Sequence, residues 1–177
     1  MMKFISLALA SAASASIVSR QCQQPDVVQN FDLTDYLGTW YEAVRDQGTW
    51  YERGICVTAQ YSALEDGTVR VQNDIWQEDK QKWQAVTISA EVADPSKDEG
   101  YLLVGGSDYK VISTDYTGYT LIYCCQELGK FASSEQVWIL VRDPTTDLSE
   151  DQKNEILSAL DTQLPEYDIF TNGQITE

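Results

Sequence analysis

The sequence contains no histidine, and this absence limits the chemistry that its side chains can perform. Ser-His-Asp and Cys-His catalysis, a histidine-ligated haem, and zinc sites that combine cysteine with histidine are all excluded. Four cysteines are present, at Cys22, Cys56, Cys124 and Cys125. Because none of them forms a Cys-x-x-Cys pair, the sequence favours disulfides over an all-cysteine metal site, and we predict neither a metal nor a cofactor.

The charge of the chain limits its partners. The 177 residues include 12 Lys or Arg and 28 Asp or Glu, which gives a net charge of −16. Such a surface repels nucleic acid and anionic lipid, since both are bound mainly through basic side chains. The hydrophobic content of 43% is typical of a compact globular protein. We therefore predict no nucleic-acid partner, and the sequence does not indicate an oligomeric state.

The amino terminus has the pattern of a secretory signal. Lys3 supplies a basic start, and an apolar run then ends at Ala13-Ser14-Ala15, which suits signal peptidase. The run is shorter than the roughly 20 apolar residues that cross a bilayer, so we predict no transmembrane anchor. The predicted signal peptide covers residues 1–15, with cleavage after Ser19 as an alternative. It leaves a single secreted domain over residues 16–177, in the extracellular space or the lumen of the secretory pathway.

After the signal, the chain reads as short β-forming runs separated by turn residues. Apolar and polar residues alternate with a period of two over residues 68–77 and 86–92. The eight predicted strands are residues 38–45, 55–62, 68–77, 86–92, 101–104, 108–114, 119–126 and 136–142. Consecutive strands of this kind form an up-and-down barrel or a sandwich, and alternation alone does not decide whether the sheet closes.

The pattern changes near the carboxyl terminus, where a helix is predicted. Ser149-x-x-Gln152 matches a capping box. Apolar residues then recur at helical spacing, at Ile156, Leu157, Leu160 and Leu164, before Pro165. We expect one amphipathic helix packed on the outside of the sheet, and no helix among the strands that begin at Gly38.

Three separated segments resemble the lipocalin family. Residues 36–42, Tyr-Leu-Gly-Thr-Trp-Tyr-Glu, resemble its Gly-x-Trp motif. Residues 114–116, Thr-Asp-Tyr, resemble the turn between its sixth and seventh strands, and residues 138–142, Trp-Ile-Leu-Val-Arg, resemble its last strand. The resemblance implies an all-β fold, an eight-stranded antiparallel up-and-down barrel with one C-terminal helix packed outside.

The resemblance also implies that these motifs are structural and not catalytic. It places the guanidinium of Arg142 across the indole of Trp40, a cation–π pair that closes the narrow end of the barrel. The residues with implied structural roles are Gly38, Trp40, Thr114, Asp115, Tyr116 and Arg142.

The resemblance further implies a cavity for a small apolar molecule inside the barrel. It places Tyr61, Asn73, Tyr109 and Trp138 at ligand-contacting positions. Alternation along the strands adds further residues on the inner face, which are Glu42, Val44, Ile75, Ile88, Val111 and Ile122. Asn73 and Glu42 are either the polar groups that orient a ligand or interior polar residues with partners of their own.

The leading hypothesis is an exported protein that carries or sequesters a small hydrophobic molecule, such as a lipid, sterol, retinoid or pigment. The alternatives are an enzyme that acts on a bound lipid or pigment through an interior thiol, and a structural or partner-binding barrel without a ligand. The family's ligand cannot be transferred, because many relatives have a longer, aromatic-rich hairpin where residues 102–108 are short and glycine-rich.

The resemblance implies a disulfide between Cys22 and Cys125. The family's second bridge joins the counterpart of Cys56 to a cysteine near the carboxyl terminus, but no cysteine follows Cys125. Since exported proteins seldom keep thiols, we expect Cys56 to pair with Cys124. An unbridged Cys124 facing the interior is the alternative, and it would be the one candidate nucleophile.

Overall fold

The computed structural model of the chain describes residues 17–46, 54–167 and 173–175, and the predicted signal peptide lies outside them. In chain order the elements are β1 (Ile17–Val18), α1 (Leu33–Tyr36), β2 (Gly38–Asp46), β3 (Ile55–Ala63), β4 (Val69–Gln77), β5 (Lys82–Val92), β6 (Tyr101–Val104), β7 (Ser107–Thr114), β8 (Tyr119–Glu127), β9 (Ser133–Val141), α2 (Glu150–Gln163) and β10 (Gly173–Ile175). No helix in this part of the chain has the length and apolar character needed to cross a bilayer.

Strands β2 to β9 form the predicted barrel. Each strand pairs antiparallel with the next along the chain, and β9 pairs with β2, which closes the sheet. Short connections between consecutive strands permit this arrangement, because a parallel pair would need a long crossover. Strands β1 and β10 lie outside this closed set, against the start of β9 and the end of β2.

The connections divide the barrel into two ends. The closed end holds the start of β2, the end of β9 and the turn between β7 and β8. The open end holds the β4–β5, β6–β7 and β8–β9 turns. The first strand therefore runs from the closed end to the open end, and its motif tryptophan lies near the closed end.

A one-turn helix, α1, precedes the first barrel strand. Asp32 caps it, because its Oδ1 accepts hydrogen bonds from the backbone N–H groups of Thr34 at 2.8 Å and Asp35 at 3.2 Å. Helix α1 lies before the predicted strands, in a segment for which the sequence pattern predicts no element. A single turn has no apolar repeat for a periodicity argument to detect.

Helix α2 begins with the predicted capping box. The Ser149 hydroxyl accepts from the Gln152 backbone N–H, and the Gln152 side chain accepts from the Ser149 N–H. The helix buries Ile156 and Leu160 against the outer faces of β7, β8 and β9. Leu157 is 40% exposed, so the apolar stripe is narrower than the sequence suggests.

Candidate ligand-binding site

Arg142 and Trp40 seal the closed end of the barrel. The guanidinium carbon of Arg142 lies 3.6 Å from the centroid of the Trp40 ring, and the indole N–H donates to the Tyr36 carbonyl at 2.9 Å. The Arg142 side chain also donates to five backbone carbonyls, those of Asp35, Tyr36, Leu37, Thr39 and Tyr116. The implied stacking is confirmed, and the guanidinium is held by hydrogen bonds as well as by the ring.

Gly38 lets the guanidinium approach the first strand. Its φ is +99°, in the left-handed region that glycine adopts without strain. A Cβ at this position would lie 3.3 Å from Arg142 Nη1. The glycine of the Gly-x-Trp motif is therefore needed both for its backbone conformation and for the space that it leaves.

The turn over residues 114–116 joins the barrel to helix α2. Asp115 accepts hydrogen bonds from the N–H groups of Gly118 at 2.7 Å and Tyr119 at 2.9 Å, and from Gln152 Nε2 at 2.7 Å. Burial alone would raise the pKa of Asp115, but the bonds from Tyr119, Gln152 and Gly118 outweigh burial and lower it. Thr114 Oγ1 donates to the Tyr119 carbonyl at 2.7 Å. These contacts are structural, as the motif implies.

Three tyrosines form a buried hydroxyl chain above the Trp40 ring. Tyr109 Oη lies 2.9 Å from Tyr36 Oη and 2.8 Å from Tyr61 Oη, and Tyr36 Oη lies 3.3 Å from Thr120 Oγ1. Burial raises the pKa of Tyr36 to about 12 and that of Tyr109 well above its ordinary value. Tyr36 and Tyr109 therefore stay neutral at physiological pH, and the three hydroxyls form a polar floor beneath the cavity.

A cavity of about 550 Å³ lies above this floor. It is lined by Glu42, Val57, Ala59, Tyr61, Val71, Asn73, Ile88, Val104, Gly105, Ser107, Asp108, Tyr109, Ile122, Cys124, Cys125, Gln126, Ser134, Gln136, Trp138 and Leu140. Lys and Arg are absent from this described lining, which includes two acidic residues, Glu42 and Asp108. The wall is mostly apolar and aromatic, with single polar groups between.

Most of the residues predicted to contact a ligand lie in this wall. They are Glu42, Tyr61, Asn73, Ile88, Tyr109, Ile122 and Trp138. Val44, Ile75 and Val111 do not line the cavity. Sequence reasoning missed residues nearer the open end, among them Gly105 in the β6–β7 turn, Ser107 on β7 and Gln136 on β9.

Val44 faces the outside of the barrel because of a bulge in β2. Glu42 lies opposite Leu140 and Val44 opposite Ile139, so one extra residue of β2 separates the two pairs. A bulge of this kind shifts the alternation by one, and Val44 packs with the outer cluster. The prediction that the inner face continues from Glu42 to Val44 is wrong for this reason.

Ile75 and Val111 lie beside the cavity and do not reach it. Val111 is fully buried in the inner core at the level of Phe31 and Tyr36. Ile75 is 5% exposed, and the position that a Cβ would take at Gly54 is 2.5 Å from its Cγ2. Alternation indicates which face a residue occupies but not its depth along the barrel, so both residues are on the inner face as predicted, and contact of either with a ligand stays a prediction.

Glu42 belongs to a buried ion pair. Arg45 Nη1 lies 3.0 Å from Glu42 Oε1, and the two side chains are 4% and 2% exposed. Arg45 Nη2 also donates to the Gly54 carbonyl at 2.9 Å. The β2 bulge explains why sequence reasoning missed Arg45, since simple alternation from Glu42 would turn its side chain outward. Glu42 is therefore an interior carboxylate with a cationic partner.

Asn73, unlike Glu42, has a buried side-chain oxygen with no bonding partner among the described residues. Its side-chain oxygen, Oδ1, is buried and accepts no hydrogen bond from the described residues. An unpaired buried acceptor of this kind costs about 1–3 kcal/mol. Asn73 is thus a polar group in the cavity wall with capacity for an additional donor.

The disulfide between Cys22 and Cys125 is present, as the resemblance implies, with the two Cα atoms 5.8 Å apart. It fastens the segment before α1 to the outer face of β8. An ion pair of 2.6 Å between Arg20 and the buried Glu135 lies beside it. The disulfide and the ion pair therefore fix the amino-terminal segment against the open half of the barrel.

The predicted bridge between Cys56 and Cys124 is wrong. Neither cysteine belongs to a disulfide. Cys124 lines the cavity, whereas Cys56 is exposed, with a φ of +53° at an irregularity of β3. The two side chains lie on opposite faces of the barrel wall, and strands β2 and β9 separate the strands that carry them, so the two sulfur atoms do not meet. The alternative, an interior Cys124 outside any disulfide, is what the structure contains.

Comparison with known proteins places these features in one family. A family model described as a lipocalin-like domain matches residues 31–169. Apolipoprotein D from Rattus norvegicus is 33% identical over 128 residues, which cover 70% of this chain and 67% of the relative. The outer membrane lipoprotein Blc from Citrobacter freundii is 32% identical over 163 residues, which cover 86% of this chain and 87% of the relative.

Solved structures agree on the fold. Insecticyanin from the tobacco hornworm Manduca sexta has a TM-score of 0.74 and is 20% identical, covering 91% of this chain and 88% of that one. At this level of identity the likeness supports the barrel architecture alone. The family-model match and the relatives at over 30% identity go further, and on their strength the chain belongs to the lipocalin family.

Proposed function

We propose that the chain is an exported binding protein that carries or sequesters a small, mostly apolar molecule in the barrel cavity. The observation that carries this proposal is the cavity itself, which measures about 550 Å³. Pockets for small molecules typically measure about 300–1,000 Å³ and have apolar walls with a few polar groups. A lipid, sterol, retinoid or pigment meets these requirements.

The unpaired side-chain oxygen of Asn73 favours a ligand that carries one hydrogen-bond donor. Its buried Oδ1 has no donor among the described residues, whereas the neighbouring hydroxyls of Tyr61 and Tyr109 are bonded to each other. A hydroxyl on the ligand would supply the missing bond, a net gain of about 1 kcal/mol. A purely hydrocarbon ligand would leave the acceptor unpaired.

The charges around the cavity support a neutral ligand over an anion. The described lining residues include Glu42 and Asp108 but no Lys or Arg, and the whole chain has a net charge of −16. Arg45, the cation nearest to this wall, is already bonded to Glu42 and to the Gly54 carbonyl. Burying a carboxylate here would cost desolvation with no cationic partner to offset it.

Two observations support export. The Cys22–Cys125 disulfide is typical of oxidising compartments, and the first 15 residues have the pattern of a signal peptide. Some relatives are membrane-associated, since the Citrobacter freundii relative is named an outer membrane lipoprotein. Peptide mapping of the mature amino terminus from a secreting host would test the predicted cleavage.

The binding proposal is tested by titrating the protein with retinol and with retinoic acid, which share one apolar skeleton and differ in a hydroxyl against a carboxylate. Trp138 lines the cavity, so quenching of its emission reports binding. We expect a micromolar Kd or tighter for retinol, about −8 kcal/mol, and binding at least about tenfold weaker for retinoic acid. If retinol and neutral sterols leave the emission unchanged and native mass spectrometry finds no bound molecule, the proposal is wrong.

Asn73→Leu tests the polar contact. We expect the variant to bind retinol about fivefold more weakly, the equivalent of one hydrogen bond, and an ether analogue without the hydroxyl with unchanged affinity. Gln136→Leu is the matched control, because the Gln136 amide also lies in the wall but donates to Ser134 Oγ at 2.8 Å. An equal loss for both ligands in the Asn73 variant would contradict the proposed contact.

An enzyme acting through Cys124 is the second candidate function. The observation that favours it is the position of this thiol in the cavity wall, outside any disulfide. Alkylation of Cys124 should abolish turnover of a bound lipid or pigment if the thiol is the nucleophile. If Cys124→Ala binds ligands as the wild type does and no turnover of bound ligand is detected, the binding function stands alone.

A further inference from the structure

Strand β5 has an open edge. It pairs with β4 at nine positions, from Gln77 opposite Lys82 to Val69 opposite Ala90. On its other side it pairs with β6 at only three positions, Ala90, Glu91 and Val92. Over residues 82–88 the strand therefore has a neighbour on one side only, within the part of the chain that the structure describes.

The backbone groups of this edge are available for pairing. The Ser89 carbonyl accepts from the Gly105 N–H at 2.9 Å, so the backbone of Ser89 points away from β4. In an antiparallel sheet the backbone groups of alternate residues point the same way. Trp83, Ala85 and Thr87 therefore present their N–H and C=O groups to the open side.

The edge carries no carboxylate, and Lys82 at its start is its one charged side chain. Residues 82–89 include no Asp or Glu, although the chain has a net charge of −16. They are rich in β-branched and aromatic side chains, with Trp83 57% exposed and Val86 38% exposed. Long, exposed edges of this kind are templates for pairing with another strand, and proteins normally protect them with charge, proline or a bulge.

The edge is also an opening in the wall of the cavity. Strand β6 ends at Val104, and the short turn through Gly105 lies against Ser89, so the β6–β7 hairpin does not extend along the upper half of β5. Ile88 lines the cavity, and Val86 lies two residues further along the same face. The exposure of Val86 follows from the missing neighbour.

We propose that this edge is the interface with a second copy of the chain, in which the two β5 strands pair antiparallel about a two-fold axis. An antiparallel two-fold pair uses the same donors and acceptors on both sides, so one strand is complementary to itself. Two copies that each have a net charge of −16 repel through most of their surfaces, but this strip brings no carboxylates from the two strands together. The second β5 would place its own Val86 beside the cavity opening and complete the wall.

The interface is tested by sedimentation velocity of the disulfide-intact protein over roughly 10 μM to 1 mM, the range of weak and small interfaces. We expect the average mass to rise from that of one chain toward that of two. A wild-type protein that stays monomeric throughout would overturn the proposal, and binding of an unrelated strand by that monomer would assign the edge to a different partner.

Two variants locate the contact. Ala85→Pro removes an N–H that points to the open side and leaves the β4 ladder intact, which is where edge strands tolerate proline. Thr87→Glu introduces a carboxylate from each chain into a strip that has none in the wild type. We expect each to weaken dimerisation at least tenfold.

Ser158→Glu on the exposed side of α2 is the charge-matched control, and we expect it to dimerise as the wild type does. The melting temperature of each variant establishes that it is folded. If Ala85→Pro unfolds, Thr87→Glu decides the question by itself. Wild-type dimerisation in Thr87→Glu, or an equal loss in Ser158→Glu, would overturn the proposed interface.

Discussion

The two ends of the barrel use polar groups in opposite ways. At the closed end, the Arg142 side chain donates to five carbonyls and covers the Trp40 ring, so its hydrogen-bonding capacity is used within the protein. In the cavity, Asn73 Oδ1 is buried without a donor from the described residues. The closed end therefore uses its polar groups within the protein, whereas the cavity wall keeps one acceptor that a donor on a bound molecule can reach.

The two ends are also held together differently. The closed end depends on the Arg142 guanidinium, which packs on the Trp40 ring. The open half is held by the disulfide from Cys22 to Cys125. The segment that this disulfide holds lies outside the barrel and leaves the cavity free to hold a ligand. Stabilising the open half from outside avoids filling its interior with side chains.

The largest expected effect on stability comes from removing the disulfide between Cys22 and Cys125. Cys22→Ser combined with Cys125→Ser should lower the free energy of unfolding by about 4 kcal/mol, since the bridge closes a sequence separation of 103 residues. Urea unfolding measures the loss. Cys56→Ser is the control, because this exposed cysteine forms no disulfide. If the double variant loses less than about 1 kcal/mol in the free energy of unfolding, the open half does not depend on this disulfide.

Arg142→Ala should have the next largest effect, a loss of about 3 kcal/mol in the free energy of unfolding. The variant removes the cation–π contact and the hydrogen bonds to five carbonyls, of which the Tyr36 carbonyl keeps the Trp40 indole as a donor. Arg142→Lys should recover only part of the loss, because an ammonium cannot reproduce the planar set of donors. Arg70→Ala, at an exposed arginine, is expected to have little effect. Equal stability of the Ala and Lys variants would contradict this account of the closed end.

The smallest expected effect concerns acid stability of the turn that contains Asp115. Because the pKa of Asp115 is lowered below its ordinary value of 3.8 in the fold, its ionisation stabilises the protein above that value. This stabilisation is lost as the pH falls through the folded pKa. We expect Asp115→Asn to be less stable than wild type by about 0.5 kcal/mol at pH 7, with the difference shrinking below about pH 4.

Thermal unfolding at several pH values measures that difference, and Asp79→Asn at an exposed turn controls for the change in net charge. A difference that grows toward low pH would contradict the sign of the proposed linkage.

Much of the fold followed from local patterns. Alternation and turn residues identified the eight barrel strands, and the capping box at Ser149 identified the start of the last helix. These predictions succeeded because hydrogen-bond ladders and caps depend on residues close in sequence. Closure of the sheet did not follow from alternation, and it was the lipocalin resemblance that indicated it.

The binding site followed less completely. Alternation placed Glu42 and Ile88 in the wall correctly, but it failed at Val44, where a bulge shifts the face. It placed Val111 on the inner face correctly, but it could not show that this residue lies outside the cavity lining. A period of two contains no information about bulges or about depth along the barrel.

The sequence by itself determined the Trp40–Arg142 plug, the bridge from Cys22 to Cys125, and the barrel, because family motifs and local periodicity specify them. Only the tertiary structure decided that Cys56 and Cys124 lie on opposite faces of the wall and that Asn73 keeps an unused acceptor. These properties depend on distances between strands far apart in the chain, and such distances exist only once the sheet has closed.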